Sequence, residues 1–118
     1  MNVNPDIEKL GTITGLDIAP DEYQGTAQSY IVYAYSSEST AMYADDEPFA
    51  DEATIQVNLY TPPQMNYMNL KHQIRDYLET LGIVESIGSW IDTWTSKNNL
   101  EEKKRHTTFV VTITKGRV

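Results

Sequence analysis

Cysteine is absent from the sequence, which excludes disulfide bonds and thiolate metal sites. No apolar run approaches the ~20 residues that a membrane-spanning helix requires. Polar and acidic residues follow Met1, where a signal peptide would place basic and apolar ones, so we predict no signal peptide and no membrane partner. A chain of 118 residues is long enough for one compact core. We therefore expect residues 1–118 to form a single soluble domain that is made in the cytoplasm.

Basic residues are also scarce, with nine Lys and Arg against 17 Asp and Glu, and the net charge is −8. The imbalance lies in the first half of the chain. Residues 1–60 contain 11 acidic residues and one basic residue, whereas residues 61–118 contain six acidic and eight basic residues. So acidic a chain does not favour specific binding of nucleic acid, whose phosphates require a basic surface. The asymmetry favours contact with another protein or with a second copy of the chain.

Alternating apolar and polar residues predict four strands. The clearest is Ala53–Tyr60, in which every second residue from position 55 to 59 is a large aliphatic one. The others are Tyr30–Ser36, Ile83–Thr95 with a break or bulge at Gly88, and Thr107–Thr114. Their order predicts two antiparallel hairpins, one before and one after the middle of the chain.

One long helix is predicted between the two hairpins, because apolar residues recur at helical spacing over Asn66–Leu81 and Gly82 follows as a stop. A short helical turn over Pro5–Leu10, ended by Gly11, precedes the first strand. These elements predict an α+β fold: a mostly antiparallel sheet of four to five strands, with one principal helix packed on a face and a short N-terminal helical turn. The predicted core consists of Ile31, Tyr33, Ile55, Val57, Leu59, Leu70, Ile74, Leu78, Phe109, Val111 and Ile113.

Three segments are predicted to lack regular structure. Gly15–Ser29 is rich in turn residues, Glu38–Glu52 is long and acidic, and Ser96–Arg105 is a charged turn. This prediction places the acidic run Asp45–Glu47 and the basic run Lys103–Arg105 at the tips of two hairpins. Opposite charges on two projecting hairpins suit head-to-tail pairing of copies, and such an interface closes into a ring when it is repeated.

No motif for catalysis or cofactor binding stands out. His72 and His106 have neither ligand nor triad spacing around them, and we expect both on the surface. The carboxylates from Asp45 to Glu52 lack the spacing and the central glycine of a calcium-binding loop, so a solvated acidic loop is favoured over a cation site. We therefore predict no enzyme activity, no metal and no cofactor.

Two alternative functions remain open. Trp90 and Trp94 fall on one face of a predicted strand, and together with nearby tyrosines they suit the ligand platform of a small cytosolic binding module. Such aromatic pairs are more often part of a core or an interface. The other alternative is a metal-dependent enzyme that uses the carboxylates of residues 45–52, which two carboxylates facing each other in a cleft would favour.

Four stretches occur in a familiar order: Tyr30–Tyr33, Tyr43–Glu47, the strand Ile55–Tyr60, and a helix that opens with Asn66–Tyr67 and ends at Leu81–Gly82. This order resembles the small tail-completion proteins of long-tailed bacteriophages and prophages, namely the tail terminators and related head–tail joining proteins. The resemblance spans roughly residues 16–114. It departs from the family in its shorter N-terminal helix and in a lengthened entry to the main helix at Pro62–Pro63.

The resemblance implies a structural role in the virion neck, after assembly in the cytoplasm of the bacterial host. Such proteins form a ring, commonly of six subunits, which caps the tail tube and offers a surface to the head. The implied partners are other copies of the chain, the phage tail tube protein and the head–tail connector proteins. Together, the charge pattern and the resemblance suggest ten candidate interface residues: Met42, Tyr43, Asp45, Asp46, Glu47, Phe49, Trp94, Lys103, Lys104 and Arg105.

Overall fold

The computed structural model describes residues 2–42, 48–95 and 98–116. Two helices and five strands follow one another along the chain: α1 (Asn4–Thr14), β1 (Asp17–Pro20), β2 (Tyr30–Met42), β3 (Pro48–Thr61), α2 (Met68–Leu81), β4 (Ile83–Thr95) and β5 (Glu101–Gly116). In these described ranges, no helix is both long enough and apolar enough to cross a membrane.

The five strands form one sheet in the order β1-β2-β3-β5-β4. β1 runs parallel to β2, and the other three pairings are antiparallel. The predicted α+β class and both predicted hairpins, β2–β3 and β4–β5, are confirmed. The sheet is mixed because of β1, a short strand that the sequence pattern did not reveal.

The core lies on one face of the sheet, under both helices. Because successive side chains of a strand point to opposite faces, the alternating aliphatic residues of β2, β3 and β5 all face α1 and α2. Ten of the eleven predicted core residues are buried, and the remaining one, Leu70, is partly buried against them. Four further residues complete the core: Ile7 and Leu10, which the predicted N-terminal turn already directed toward it, and Val3 and Ala53, which were not predicted.

α1 is a full helix, which corrects the predicted single turn. It continues past Gly11 to Thr14 and is capped by Gly15 in the left-handed conformation, with φ of 72°. Gly11 lies within the helix and does not end it. A glycine at this position lets the helix approach β1 closely. A Cβ atom at Gly11 would lie only 2.9 Å from Cγ2 of Ile18.

Three tyrosines from the sheet and from α2 fix α1 in place. Each uses its hydroxyl group to bond a polar group near the start of α1, so the aromatic residues join the helix to the core. The bonds run from Tyr33 Oη to Glu8 Oε1 (2.6 Å), from Tyr77 Oη to the Asp6 carbonyl oxygen (2.6 Å), and from the Val3 backbone N–H to Tyr35 Oη (2.9 Å).

The first hairpin is longer than predicted. β2 continues to Met42 and β3 begins at Pro48, so most of the predicted acidic loop Glu38–Glu52 is an antiparallel ladder, with Ser39 paired to Glu52. The prediction was wrong because this part of the ladder is rich in polar and acidic residues and lacks the apolar alternation of a half-buried strand. Residues 43–47, which connect the two strands, lie outside the described residues.

Two further loop predictions are corrected. The predicted loop Gly15–Ser29 contains β1, which pairs with β2 from Asp17 to Pro20. The predicted charged turn ends earlier than expected, because β5 begins at Glu101. Lys103–Arg105 therefore lies within β5, paired with Ile91–Thr93, and not at a hairpin tip.

The two hairpins extend from opposite ends of the sheet. β3 and β5 pair from Ala50↔Gly116 at one end to Thr61↔Arg105 at the other. Beyond Ala50 only β2 and β3 continue, as the β2–β3 extension; beyond Thr61 only β4 and β5 continue, as the β4–β5 extension (92–95 with 101–104). The result is an elongated molecule of 58 × 27 × 22 Å.

Candidate functional site

The face of the sheet opposite the helices is open and carries a row of aromatic side chains. The strand register pairs Tyr30 with Tyr60, Tyr60 with His106, and His106 with Trp90, which places four rings side by side. Tyr23, between β1 and β2, adds a fifth ring. The distances between successive ring centroids, from Tyr23 to Trp90, are 4.1, 5.1, 4.4 and 4.6 Å. We call these five residues the aromatic row; the contacts between its tyrosines are of a kind that contributes about 0.5–1.5 kcal/mol beyond simple burial.

His106 is also the centre of a polar network. Its Nδ1 atom lies 3.0 Å from Asp92 Oδ2, and its Nε2 atom lies 2.7 Å from Asn58 Oδ1. Thr108 Oγ1 donates to the same oxygen of Asn58 at 3.0 Å. The side chain of His106 is only 13% exposed, so its predicted surface position is wrong, whereas His72 is exposed as predicted.

Asp92, His106 and Thr108 follow the order carboxylate, imidazole, hydroxyl that activates the nucleophile of some hydrolases. Thr108 Oγ1 lies 3.0 Å from His106 Nε2. However, Thr108 is only 2% exposed, and its hydroxyl already bonds Asn58, so a substrate does not reach it. The geometry therefore favours a structural role for this network, which ties β3, β4 and β5 together.

β4 is a free edge of the sheet, and it carries five of the nine exposed large apolar side chains in the described part of the chain. Ile83 is 80% exposed and Ile87 is 52% exposed. Ile87 lies at a register shift between Ser86 and Gly88 and has no partner in the β4–β5 ladder. A long, apolar edge strand readily pairs with another chain. The five residues are Ile83, Ile87, Trp90, Ile91 and Trp94.

Three of the predicted interface residues, Trp94, Lys103 and Lys104, meet at the β4–β5 extension. They line a cavity of about 590 Å³ between this extension and the segment 23–28. Lys103 forms an exposed ion pair with Glu101, with 3.4 Å between Nζ and Oε1. The carboxylate of Glu102 also lines the cavity, which is therefore of mixed charge and partly aromatic.

Lys104 and Arg105 both pack against aromatic rings of their own chain. Lys104 Nζ lies 5.0 Å from the centroid of the Tyr30 ring and donates to the carbonyl oxygen of Gln28. Burial lowers the pKa of Lys104. Arg105 lies on the helix side of the sheet, with its Cζ atom 4.8 Å from the centroid of the Tyr67 ring. Both cations thus have a role within the subunit.

Two more of the predicted interface residues, Met42 and Phe49, belong to the other end of the molecule. Met42 ends β2 and Phe49 lies near the start of β3, in the β2–β3 extension. Tyr43 and the acidic residues Asp45, Asp46 and Glu47 lie outside the described residues.

Sequence reasoning identified Trp90 and Trp94 but missed Tyr23, Tyr60 and His106 as members of the same surface. The local pattern places Tyr60 and His106 in or beside strands, yet it does not show which strands are neighbours. That information lies in the register, which depends on contacts between distant parts of the chain. Tyr23 could not be identified from a periodic sequence pattern, since it lies in an irregular segment.

Among the described residues, no three His, Cys, Asp or Glu side chains lie close enough together to hold a metal ion. No protein-family model matches the chain, and no curated protein matches it. The candidate functional surfaces are therefore defined by geometry: the free edge β4, the open face with its aromatic row, and the cavities beside Trp94.

Proposed function

We propose that the chain is a structural subunit of the neck of a bacteriophage or prophage, where copies of it form a ring that completes the tail tube and helps to join it to the head. The observation that carries this proposal is the free edge β4 with its five exposed apolar side chains. Burying such side chains in an interface contributes about 25 cal/mol per Å² of apolar surface. The proposed partners are other copies of the chain, the tail tube protein and the head–tail connector proteins.

The shape of the molecule supports assembly by contacts between two different surfaces. The β2–β3 and β4–β5 extensions lie at opposite ends of a molecule 58 Å long, so one end of a subunit can meet the other end of its neighbour. The second free edge, β1, has four residues and ends in Pro20, which has no N–H group to donate. The β1 strand of one subunit is therefore too short to pair along the whole of β4 in its neighbour. Side-chain contacts must provide most of the free energy of association.

Charge would align neighbouring subunits rather than hold them, because an exposed ion pair contributes only about 0–1 kcal/mol. Changing Lys104 or Arg105 would also break contacts with Tyr30 or Tyr67 in the same subunit. Lys103 is the cleaner residue for charge reversal, since it pairs with the exposed Glu101 of the same strand.

The proposal is tested by placing lysine on the β4 edge in the virus. Ile87→Lys combined with Ile91→Lys should produce overgrown tails or tails without heads, seen by electron microscopy of the lysate. Ile13→Lys is the matched control, because Ile13 lies in α1 and is 41% exposed, close to the 40% of Ile91. Lys103→Glu should give a milder defect. This defect should become smaller at high salt, because salt screens the interaction between exposed charges.

Normal virions from the β4 double variant would remove this edge from the mechanism. If deletion of the whole gene left the virion yield normal, this result would contradict the neck function itself. In the purified protein, size-exclusion chromatography with light scattering should detect a ring-sized species that the double variant lacks and the Ile13→Lys control retains.

A second candidate function, a small cytosolic binding module, is favoured by the cavities beside Trp94. The two tryptophans are equally exposed, at 40%, but they differ in their contacts. Trp90 Nε1–H donates to Asp92 Oδ1 at 2.8 Å, and its ring lies 4.6 Å from that of His106. Trp94 instead lines both cavities on the open face. A ligand of this module would therefore contact Trp94.

A further inference from the structure

A second cavity of about 300 Å³ adjoins the first one on the open face, and its lining combines aromatic rings with carboxylates. No lysine or arginine lines it, whereas Lys103 and Lys104 line the first cavity. The groups that matter for recognition are Asp21, Glu22, Tyr30, Tyr60, Asp92 and Trp94.

The lining offers hydrogen-bond acceptors that the fold leaves unused. The carboxylates of Asp21 and Glu22 make no hydrogen bond or ion pair with other described residues, and neither do the hydroxyl groups of Tyr30 and Tyr60. Burial, and then the charge of neighbouring groups that include Asp92, raises the pKa of Tyr60, so this hydroxyl stays neutral. A ligand that satisfies these acceptors must bring several donors and a positive charge.

The carboxylates are too dispersed for a metal ion. No three acidic or histidine side chains of the described chain converge on one point, and both oxygens of Asp92 are occupied by Trp90 and His106. A cation whose charge and donors are spread over several atoms fits this arrangement better than a small ion. The ring of Trp94, 40% exposed, offers a face on which such a cation stacks.

We propose that this cavity binds an organic cation, either a guanidinium or an alkylammonium group, against Trp94, with Asp21 and Glu22 as its counter-charges. The inference rests on the second candidate function, the binding module, and does not require the neck role. A planar guanidinium has five N–H donors, which match the free carboxylate and hydroxyl oxygens of the cavity.

The test follows the two indole N–H signals of the full-length protein by nuclear magnetic resonance, with Trp94→Phe used to assign them. N-acetyl-arginine amide and n-butylammonium chloride are the two cationic probes, and sodium chloride at equal ionic strength is the salt control. We expect the Trp94 signal to move with a dissociation constant of about 1 mM for a probe of this size. The Trp90 signal should move less, because Trp90 does not line this cavity.

Asp21→Asn combined with Glu22→Gln should weaken binding about fivefold, as expected for two partly solvated charges. Asp76→Asn combined with Glu85→Gln removes the same charge from α2 and from the start of β4, and it should leave binding unchanged. Thermal unfolding of both double variants confirms that they are folded.

Three outcomes overturn the cation site: no shift of the Trp94 signal up to about 100 mM probe, an equal shift with sodium chloride, or equal weakening in the two double variants. N-acetyl-glutamine amide separates this failure from failure of the binding module. If this neutral probe binds as well as the arginine derivative, the cavity is a binding site without a preference for cations. If no probe binds, the binding module fails as well.

Discussion

Tyr33 donates its phenolic hydrogen bond to the carboxylate of Glu8 at 2.6 Å, although the Tyr33 side chain itself is only 1% exposed. Burial, and then the bond to Glu8, raises the pKa of Tyr33 well above its ordinary value of 10.0. A buried side chain of the sheet thus contacts the solvent-facing side of α1 through a single oxygen atom. This contact makes the docking of α1 dependent on pH.

The free energy of unfolding should fall as the pH rises above about 10. The sign follows from the raised folded pKa: the contribution of Tyr33 is fully present below the unfolded pKa, and it is lost because the unfolded chain releases its proton first. Tyr33→Phe should be less stable at neutral pH by about 1 kcal/mol, through loss of the bond to Glu8. Its stability should also fall less steeply at alkaline pH, by up to about 1.4 kcal/mol per pH unit.

Tyr67→Phe is the control for this pH dependence. A hydrogen bond with Ser89 and the nearby charge of Arg105 lower the pKa of Tyr67, so removal of this hydroxyl should not flatten the alkaline limb. Urea titrations between pH 8 and 11 measure both variants. Parallel curves for wild type and Tyr33→Phe would contradict the assignment.

Leu78→Ala should lower the free energy of unfolding by about 2–5 kcal/mol. Leu78 is fully buried between α2 and the sheet, and its truncation leaves a cavity that the sheet cannot close. Leu100→Ala, at a side chain that is 63% exposed, should change stability by less than about 0.5 kcal/mol. Equal effects of the two substitutions, measured by chemical denaturation, would show that α2 does not cover the core.

Gly82→Ala should be more destabilising than Gly15→Ala, although only Gly15 has a positive φ. The backbone of Gly82 is extended, but a Cβ atom there would overlap the carbonyl oxygen of Thr112. We expect a loss of about 1–3 kcal/mol or more from this overlap. At Gly15 a Cβ atom meets no other group, so the cost is about 1 kcal/mol from its left-handed conformation. Thermal unfolding of both variants checks the order, and a reversed order would contradict the close contact.

Asn58→Ala should cost about 1–3 kcal/mol, because it removes the shared acceptor of the network around His106. Asn58 is 8% exposed, and its Nδ2 group also donates to the carbonyl oxygen of Val32 at 3.2 Å. Gln56→Ala on the same strand is the control, since the Gln56 side chain contributes only a long hydrogen bond of 3.4 Å to Asn58 among the described residues. A loss no larger than that of the control would mean that the network contributes no net stability.

The parts of the fold that could be predicted from the sequence are those in which burial imposes a periodic pattern. Ile55, Val57 and Leu59 alternate because one side of β3 faces the helices, and Ile74 and Leu78 recur at helical spacing because one side of α2 faces the sheet. Where burial ends, the pattern ends as well. The ladder from Ser39↔Glu52 to Met42↔Pro48 is held by backbone hydrogen bonds, which leave no apolar signature.

The candidate site was less predictable, because it depends on register and on an irregular segment. Trp94 could be identified from its residue type alone. Its cavity could not, since Asp21 and Glu22 reach it from the segment after β1, and Tyr60 reaches it from the central strand. His106 was expected at the surface because nothing adjacent in the sequence identifies Asp92 and Asn58 as its partners.

The contacts of α1 have a consequence for the order in which the chain folds. The first helix is bonded to Tyr77 through the Asp6 carbonyl oxygen and to Lys115 through the Asp6 side chain, so one of its partners lies 109 positions later in the chain. The strand next to α1 is β1, which pairs with β2. β2 in turn pairs with β3, and the other side of β3 pairs with β5. A ribosome-bound chain that lacks β5 therefore has no finished surface on which α1 can dock. Pairing across such separations slows folding, and we expect α1 to remain accessible until β5 has been synthesised and added to the sheet.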